Sequence, residues 1–380
     1  MMPPRSRAMD PLTHNQRMKI KFLIGSLLLA SLCACTGHRP RANLVDVPAP
    51  LVAADAVIAE AWVTAQHPEE ELDSLALWPT PEGGAWLLAT GKASHTLAVY
   101  DAETGARLRT VGGPGGGAGE FRRPNGIAVF GDLVFVVERD NRRVQVLELP
   151  DFRPLGMVGE GRLQVPYGLW VHETAPDVLE LLVTDSFMTD ARNDELPPLE
   201  RLDQRVKRFE VTLKPDGGIA SRYLAAFGDT GQEGALRMVE SIAGDAAYDR
   251  LLIADEDRRV GSTLRDYTLE GRYRGHSLPA FEAEAEGIAL WDCDASGGYW
   301  IAVDQLRPTV FRVFDRRSLR PLKTFSGQTV ANTDGQVLFA GGMPRFPAGA
   351  LYALHDDRSI AAFDLRDLVR ALGLSKRCVQ

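Results

Sequence analysis

The feature that most constrains the fold is a short pattern that recurs six times after residue 70. In most copies a glycine or serine precedes a run of apolar residues, and a polar turn follows. The six runs, with their leading residues, are 75–78, 126–129, 168–171, 241–244, 287–290 and 349–352. Runs of this length, bounded by Gly, Asp, Asn and Pro, predict β-strands rather than helices.

Further short strands follow most of these runs, so that each unit contains three or four strands. Second strands are predicted at 86–90, 133–137, 179–184, 250–254 and 300–303, and third strands at 96–100, 143–147, 206–211, 264–268, 310–314 and 360–363. Six such units predict an all-β fold, a six-bladed β-propeller, as a single domain over residues 66–380. A β-sandwich is the rival architecture, but it does not account for six similar units.

The remaining segments of the domain have the composition of loops or of a helix. Loops are predicted at 112–119, which is rich in glycine, at 189–202, which is charged and contains two prolines, and at 212–236. Apolar residues at helical spacing predict a short helix at 364–372.

The N-terminus has the pattern of a signal peptide. Lys19 and Lys21 form a positive flank, and the apolar run 22–32 that follows is too short to span a bilayer. We therefore predict that residues 1–35 are a signal segment, with Met18 as an alternative start of translation.

The end of this run resembles a bacterial lipoprotein signal, because Leu32 and Ala34 precede Cys35 at the spacing of the lipid-accepting cysteine. A plain secretory signal cleaved nearby is the alternative. Thr36 after the lipid site resembles the outer-membrane sorting class of such proteins. The resemblance implies a chain anchored in the outer membrane by its N-terminal lipid, on the periplasmic or extracellular face, with residues 36–65 as a tether and lead-in.

Charge and cysteine content narrow the functional classes. The net charge of -8, without a basic block, argues against nucleic-acid binding. A phosphorylated substrate stays compatible if metal ions mediate the contact. In an oxidising compartment Cys293 and Cys378 either pair or remain free thiols. No cysteine and histidine residues have zinc-site spacing in the sequence.

Two carboxylates precede the fifth apolar run. Glu284 and Glu286 lie two residues apart, which places both side chains on the same side of an extended chain. Two anions directed at one point repel each other unless a cation or a shared proton lies between them. The pair therefore indicates a cation site, provided that other units direct carboxylates to the same place.

Two family resemblances are visible in the order of the motifs. Residues 121–146 resemble an NHL-type propeller repeat, which indicates architecture only. Over roughly residues 70 to 366 the chain resembles the β-propeller phytases, which are six-bladed calcium-dependent phosphatases. The stretches that carry this resemblance are 73–78, 90–92 with 97–101, 166–169 with 183–184, 239–245 with 252–257, 284–287 with 304–305 and 313–316, and 332–335 with 346–349.

The resemblance implies a role for residues from several blades around one central channel. The implied metal ligands are Asp73, Asp255, Glu256, Glu284 and Asp334, the catalytic carboxylates are Glu240 and Glu286, and the substrate-binding residues are Lys92, Arg139 and Tyr167. Oxygen ligands in such number suit calcium. Because neighbouring residues of a strand alternate in direction, only one of Asp255 and Glu256 is expected to face the channel.

The function implied is calcium-dependent phosphomonoester hydrolysis of the phytase type (3-phytase), in which a metal-activated water attacks a phosphate of myo-inositol hexakisphosphate. The expected partners are inositol phosphates and, through the lipid, the membrane; the protein is expected to be a monomer.

The sequence departs from the family in three blades. A single aspartate, Asp73, stands in the first motif, Asp185 and Ser186 follow Thr184 where the family has a lysine, and Val330 and Ala331 replace an earlier acidic partner of the sixth motif. Two alternative functions therefore stay open. One is a non-catalytic envelope propeller that binds a ligand or a protein partner. The other is a lactonase-type propeller with one metal, for which Asn125 and Asn141 are candidate ligands.

Overall fold

A computed structural model of the chain describes residues 53–193, 195–215, 217–294 and 297–380. It is the predicted all-β, six-bladed β-propeller. Two short strands, β1 (Ala56–Ile58) and β2 (Trp62–Val63), precede the first blade. The proposed signal segment with Cys35, and the tether up to residue 52, lie outside the described residues. Among the described residues no helix is both long enough and apolar enough to cross a membrane.

The first three blades each contain four antiparallel strands. Blade 1 contains β3 (Leu72–Pro79), β4 (Ala85–Gly91), β5 (Thr96–Asp101) and β6 (Arg107–Gly112). Blade 2 contains β7 (Pro124–Phe130), β8 (Leu133–Glu138), β9 (Arg143–Glu148) and β10 (Arg153–Val158). Blade 3 contains β11 (Pro166–Ala175), β12 (Val178–Asp185), β13 (Val206–Leu213) and β14 (Ile219–Phe227).

The last three blades follow the same plan. Blade 4 contains β15 (Val239–Asp245), β16 (Arg250–Asp255), β17 (Thr263–Tyr267) and β18 (Tyr273–Ser277). Blade 5 contains β19 (Ala285–Asp294), β20 (Gly297–Asp304), β21 (Val310–Asp315) and β22 (Pro321–Gly327). Blade 6 contains β23 (Gln336–Phe339), β24 (Ala350–His355) and β25 (Ser359–Asp364).

The N-terminal strands close the ring. β2 pairs with β25 and supplies the outermost strand of blade 6, and β1 pairs in parallel with β22 of blade 5. The propeller therefore begins at Ala56, so the expected lead-in up to residue 65 is partly inside the fold. Strands of three and two residues carry no periodic pattern by which the sequence could reveal them.

Two further sequence predictions on the strands were wrong. The run 349–352 is not the innermost strand of its blade: it lies in β24, and the innermost strand is β23. Residues 219–227, predicted within a loop, form β14. β14 is the outermost strand of its sheet and is largely exposed, so it lacks the apolar alternation on which the other strands were recognised.

The hydrophobic core consists of six clusters, each shared by two neighbouring blades. The largest apolar side chains lie between the blades, as Trp291 and Trp300 of blade 5 show on its two sides. The predicted C-terminal helix, α1 (Leu365–Leu372), begins after the capping residue Asp364 and packs on the cluster between blades 5 and 6. A disulfide joins Cys293, near the end of β19, to Cys378.

The six inner strands line a central channel with a cavity of about 380 Å³. In four blades an acidic residue at the end of the second strand fixes the loop that leads into the inner strand. These residues are Glu138, Asp185, Asp255 and Asp304, and each accepts hydrogen bonds from backbone N–H groups of that loop. We call them the clamp acids. They set where each inner strand enters the channel.

Candidate metal centre at the channel mouth

The inner strands of blades 1 to 5 share an irregularity at their second residue. In each strand the pairing register shifts by one residue there, which is a β-bulge. A bulge redirects a side chain out of the regular alternation of the sheet. The bulged residues are Asp73, Asn125, Tyr167, Glu240 and Glu286, and Asp334 precedes the inner strand of blade 6 with the same spacing to a following glycine. We call these six residues the ring.

A serine follows Asp73 and Glu240, and a glycine follows the other four ring residues, where the next blade approaches closely. A Cβ atom on Gly168 would lie 2.4 Å from the carbonyl oxygen of Glu240, and one on Gly335 would lie 2.5 Å from the carbonyl oxygen of Asp73. No side chain fits at such distances. The recurring small residue seen in the sequence is therefore the mark of ring closure at this mouth of the channel.

Three carboxylates meet on the side of blades 4 and 5. One oxygen each from Glu240, Glu256 and Glu286 lies within 4.8 Å of the others. We call this group the triad. Glu256 directly follows β16, and its backbone N–H bonds to the carbonyl of Met238, which turns the side chain toward the ring.

The triad is electrostatically unbalanced. Within the described residues, no lysine, arginine or histidine forms an ion pair with these three carboxylates. Burial, followed by the neighbouring carboxylates, raises the pKa of Glu240 to about 8 and holds the pKa of Glu256 and Glu286 well above the usual value. The half-buried Glu284 lies nearby and adds to this repulsion.

The triad fits a divalent cation. Oxygen ligands around one calcium ion lie about 2.4 Å from it, so two of them are separated by at most about 4.8 Å, and the triad meets that limit. The buried Oε1 of Glu256 has no hydrogen-bond partner among the described residues. Carboxylates alone, without histidine or cysteine, favour calcium or magnesium over zinc.

The opposite side of the ring contains a lysine. Lys92 Nζ lies 2.9 Å from Asp73 Oδ1 and 3.3 Å from Asp334 Oδ2. Burial alone lowers the pKa of Lys92, but the two carboxylates outweigh this effect and raise it above its usual value. Tyr167 of blade 3 reaches past blade 2 and donates its hydroxyl hydrogen to Asp73 Oδ1 at 3.2 Å. Gln305 of blade 5 donates to Asp334.

Asp357 also belongs to this side, and the sequence analysis missed it. It lies in the turn between β24 and β25. Burial has the largest effect and raises the pKa of Asp357, while the positive charge of Lys92 partly offsets this rise. Its Oδ1 atom is buried without a hydrogen-bond partner among the described residues. An aspartate in a turn usually has a local structural role, so the sequence offered no distinctive signal.

Two of the predicted site residues lie elsewhere. Asp255 is a clamp acid: it accepts from Arg265 Nη2 at 2.9 Å and from two backbone N–H groups, so its charge is already balanced. Glu256, and not Asp255, joins the triad, while Asp255 is fully buried within its own blade. Arg139 pairs with the adjacent Asp140 at 2.8 Å, and no contact with the ring is found for it within the described part of the chain.

The two asparagines considered as lactonase-type ligands differ in position. Asn141 donates to Gly115 and to the clamp acid Glu138, so its role is structural. Asn125 is a ring residue and is fully buried, yet neither atom of its amide has a partner among the described residues.

Comparison with known proteins adds no function. No family model matches the chain, and no curated protein matches it. Among solved structures, the chain is similar to the hydrazine synthase of Kuenenia stuttgartiensis, with 10% identity, a TM-score of 0.48 and 82% of each chain covered. It is also similar to a nidogen/laminin complex, with 16% identity, a TM-score of 0.48, and 72% of this chain and 87% of that chain covered. Similarity at this level does not identify an activity.

Proposed function

We propose that this protein is a calcium-dependent phosphomonoester hydrolase of the phytase type, with its centre at the ring. The observation that carries the proposal is the triad, two buried carboxylates and one half-buried, which has no ion-paired lysine, arginine or histidine among the described residues. The resemblance of the motif order to β-propeller phytases supports the choice of phosphate esters, and of inositol phosphates in particular.

A single lysine does not balance the negative charge of the site. Six carboxylates lie at this mouth, and among the described residues Lys92 forms ion pairs with two of them, Asp73 and Asp334. The six carboxylates are Asp73, Asp334, Asp357, Glu240, Glu256 and Glu286. Buried carboxylates at such separations retain protons or bind cations. Binding cations turns an acidic mouth, which repels phosphate, into one that attracts it.

Glu240, Glu256 and Glu286 would hold the ion, with Glu284 at the rim. When bound, calcium neutralises phosphate charge and lowers the pKa of a water molecule. Glu240 and Glu286 come from neighbouring blades, and the carboxylate oxygen that each would keep off the ion is proposed to accept the proton that an attacking water loses. Attack by water directly on phosphorus breaks the ester bond and requires no covalent enzyme intermediate.

Lys92 and Tyr167 orient the other half of the site. Lys92 uses two of its three N–H donors on Asp73 and Asp334, which leaves one for a phosphate oxygen. Tyr167 donates to Asp73, so it fixes that carboxylate beside Lys92. Lys92 is therefore proposed to contact the substrate, and Tyr167 to position Asp73. Anchoring in the outer membrane through Cys35, and a monomeric state, complete the proposal.

The test is phosphate release by the purified chain from Gly37 onward. Phytate and a simple aryl phosphate are each offered with calcium and with a chelator. We expect release that depends on calcium and is lost in Glu256→Gln, while Glu282→Gln, an exposed neighbour of the ring loop, serves as the matched control. If neither substrate releases phosphate at any calcium concentration, the proposed enzymatic activity is refuted.

A binding propeller without turnover is the second candidate, and one observation favours it. Asp185 or Ser186 stands where the resemblance implies a lysine, and the Asp185 carboxylate is buried and accepts from the loop N–H groups of Gln164 and Val165. A rise in melting temperature with calcium, in the absence of any turnover, would support this candidate.

A further inference from the structure

The carboxamide of Asn125 is the least explained group of the ring. Asn125 is 0% exposed, and both Oδ1 and Nδ2 lack a hydrogen-bond partner among the described residues. A buried polar group without a partner is costly, and native proteins rarely leave both ends of an amide unpaired. The side chain is therefore positioned for a ligand that the protein itself does not supply.

The backbone of Asn125 is held in the same way as that of Glu240, a member of the triad. Thr90 of blade 1 donates to the carbonyl of Asn125 at 2.6 Å, and Thr184 of blade 3 donates to the carbonyl of Glu240 at 2.7 Å. Both residues occupy the bulge position of their strands. The fold thus holds the backbone of Asn125 at the ring with the same construction that holds Glu240.

The neighbours of Asn125 indicate which end of the amide is used. Its ring neighbours are Asp73 of blade 1 and Tyr167 of blade 3, which contact each other across blade 2. Asp73 is already satisfied by Lys92, Tyr167 and Ser74, so it is poorly placed to share a cation with the amide oxygen. The blade 1 to 3 side of the ring carries donors, whereas the blade 4 and 5 side carries the triad.

We propose that Asn125 is a substrate-binding residue whose Nδ2 group donates a hydrogen bond to a non-bridging oxygen of the phosphoryl group. The phosphoryl group would lie between a cation on the triad and the donors Lys92 and Asn125. A neutral amide suits this position, since it offers a donor without adding a charge next to Lys92. This inference rests on the proposed function, because it assumes that the ligand is a phosphate ester.

The experiment compares wild type with Asn125→Asp and Asn125→Leu, using the calcium-loaded chain. Orthophosphate binding is measured by calorimetry and as product inhibition, and calcium affinity is measured separately. We expect both variants to weaken orthophosphate binding and to raise KM, roughly 10- to 100-fold for the loss of a hydrogen bond to a charged group. Asn125→Asp is nearly isosteric and should weaken binding more than Asn125→Leu, because it places an anion against the phosphate.

Gln145→Leu is the matched control, because it removes an amide of the same blade that is fully paired. Gln145 donates to Glu120 and Glu138 and accepts from Gly119, so its loss should lower the melting temperature and leave orthophosphate binding unchanged.

Each other outcome overturns the inference. Unchanged orthophosphate binding in both variants would show that the amide has no contact with phosphate. A loss of calcium affinity in Asn125→Leu that Asn125→Asp restores would make the amide oxygen a cation ligand instead. If wild type neither hydrolyses phosphate esters nor binds orthophosphate, the proposed function fails together with this inference. If wild type hydrolyses phosphate esters and both variants bind orthophosphate as tightly as wild type, the inference about Asn125 fails and the proposed function stands.

Discussion

The stability of the metal-free protein should fall as the pH rises through neutrality. In the folded state burial and neighbouring carboxylates raise the pKa of Glu240 from 4.5 to about 8 and that of Asp334 from 3.8 to about 7. Between pH 4.5 and 8 the folded state therefore binds more protons than the unfolded state. The slope of the free energy of unfolding with pH is proportional to the number of protons bound by the unfolded state minus the number bound by the folded state. This difference is negative here, so the free energy of unfolding decreases over this window.

The magnitude follows from the width of the window. Each pH unit in which one group is protonated only in the folded state costs about 1.4 kcal/mol. For Glu240 alone this amounts to several kcal/mol between pH 5 and pH 8, as an upper bound before the site relaxes or admits water. For a domain of this size we expect a fall in melting temperature of roughly 5 to 10 °C.

The assay is thermal unfolding from pH 5 to pH 8, with chelator and with calcium. Calcium should remove most of the slope, because it binds the ionised carboxylates of the folded state. Glu240→Gln in chelator should be more stable than wild type at pH 8 and no more stable at pH 5. A melting temperature that is independent of pH without metal, or unaffected by calcium at pH 8, would refute the reasoning.

Three further predictions separate structural from functional residues. Asp255→Asn should cost about 3 to 5 kcal/mol of stability, because it leaves Arg265 buried without its partner, while calcium affinity measured by titration stays the same in whatever folded protein is recovered. Glu256→Gln, at the next residue, should instead lower calcium affinity with little loss of stability. Equal effects of the two substitutions on stability and on calcium affinity would contradict this difference in role. Cys378→Ser should lower stability by about 2 to 4 kcal/mol in non-reducing thermal unfolding, since it opens a loop of 85 residues, and wild type in reductant should match it. Lys92→Met should weaken orthophosphate binding and lower stability at pH 8, whereas Arg139→Met should leave both nearly unchanged.

The blades were predictable from the sequence wherever a strand is buried on both faces. Strands such as β8 and β16 are apolar, short and bounded by turn residues, and these properties follow from burial between neighbouring blades. Some strands at the periphery gave a weaker signal, enough to predict 108–111 within β6 and 322–325 within β22, and others gave none. β14 is mostly exposed, and β2 has only two residues, so pairing with the rest of the sheet rather than local sequence determines them.

The sixth blade shows a second limit of sequence analysis. Gly349 resembles the anchors of the other blades, but it adopts a positive φ of 86° at the start of β24. The real inner strand, β23, has only four residues and follows Asp334 and Gly335. A ring residue followed by a glycine or serine was the better marker of the inner strand, because the next blade passes close to that small residue.

The ring residues share one rule that can be read in the sequence, which is that each precedes a glycine or serine. That rule finds Asp73, Tyr167, Glu240, Glu286 and Asp334, and it also finds Asn125. It cannot find Glu256 or Asp357, which reach the mouth from the ends of other strands. Nor can it separate Glu256 from Asp255, since the distinction depends on Arg265, which pairs across the sheet with Ile253.

The same residue type thus has two roles in this propeller, and its charge partner distinguishes them. Glu138, Asp255 and Asp304 face arginines of the third strand of their own blade and bond to loop N–H groups, so their charges are balanced within the blade. The triad has no such arginine among the described residues. Under the proposed function a cation would balance charge where the blades meet and not within a blade, so its removal should loosen the mouth of the channel before the strands unfold.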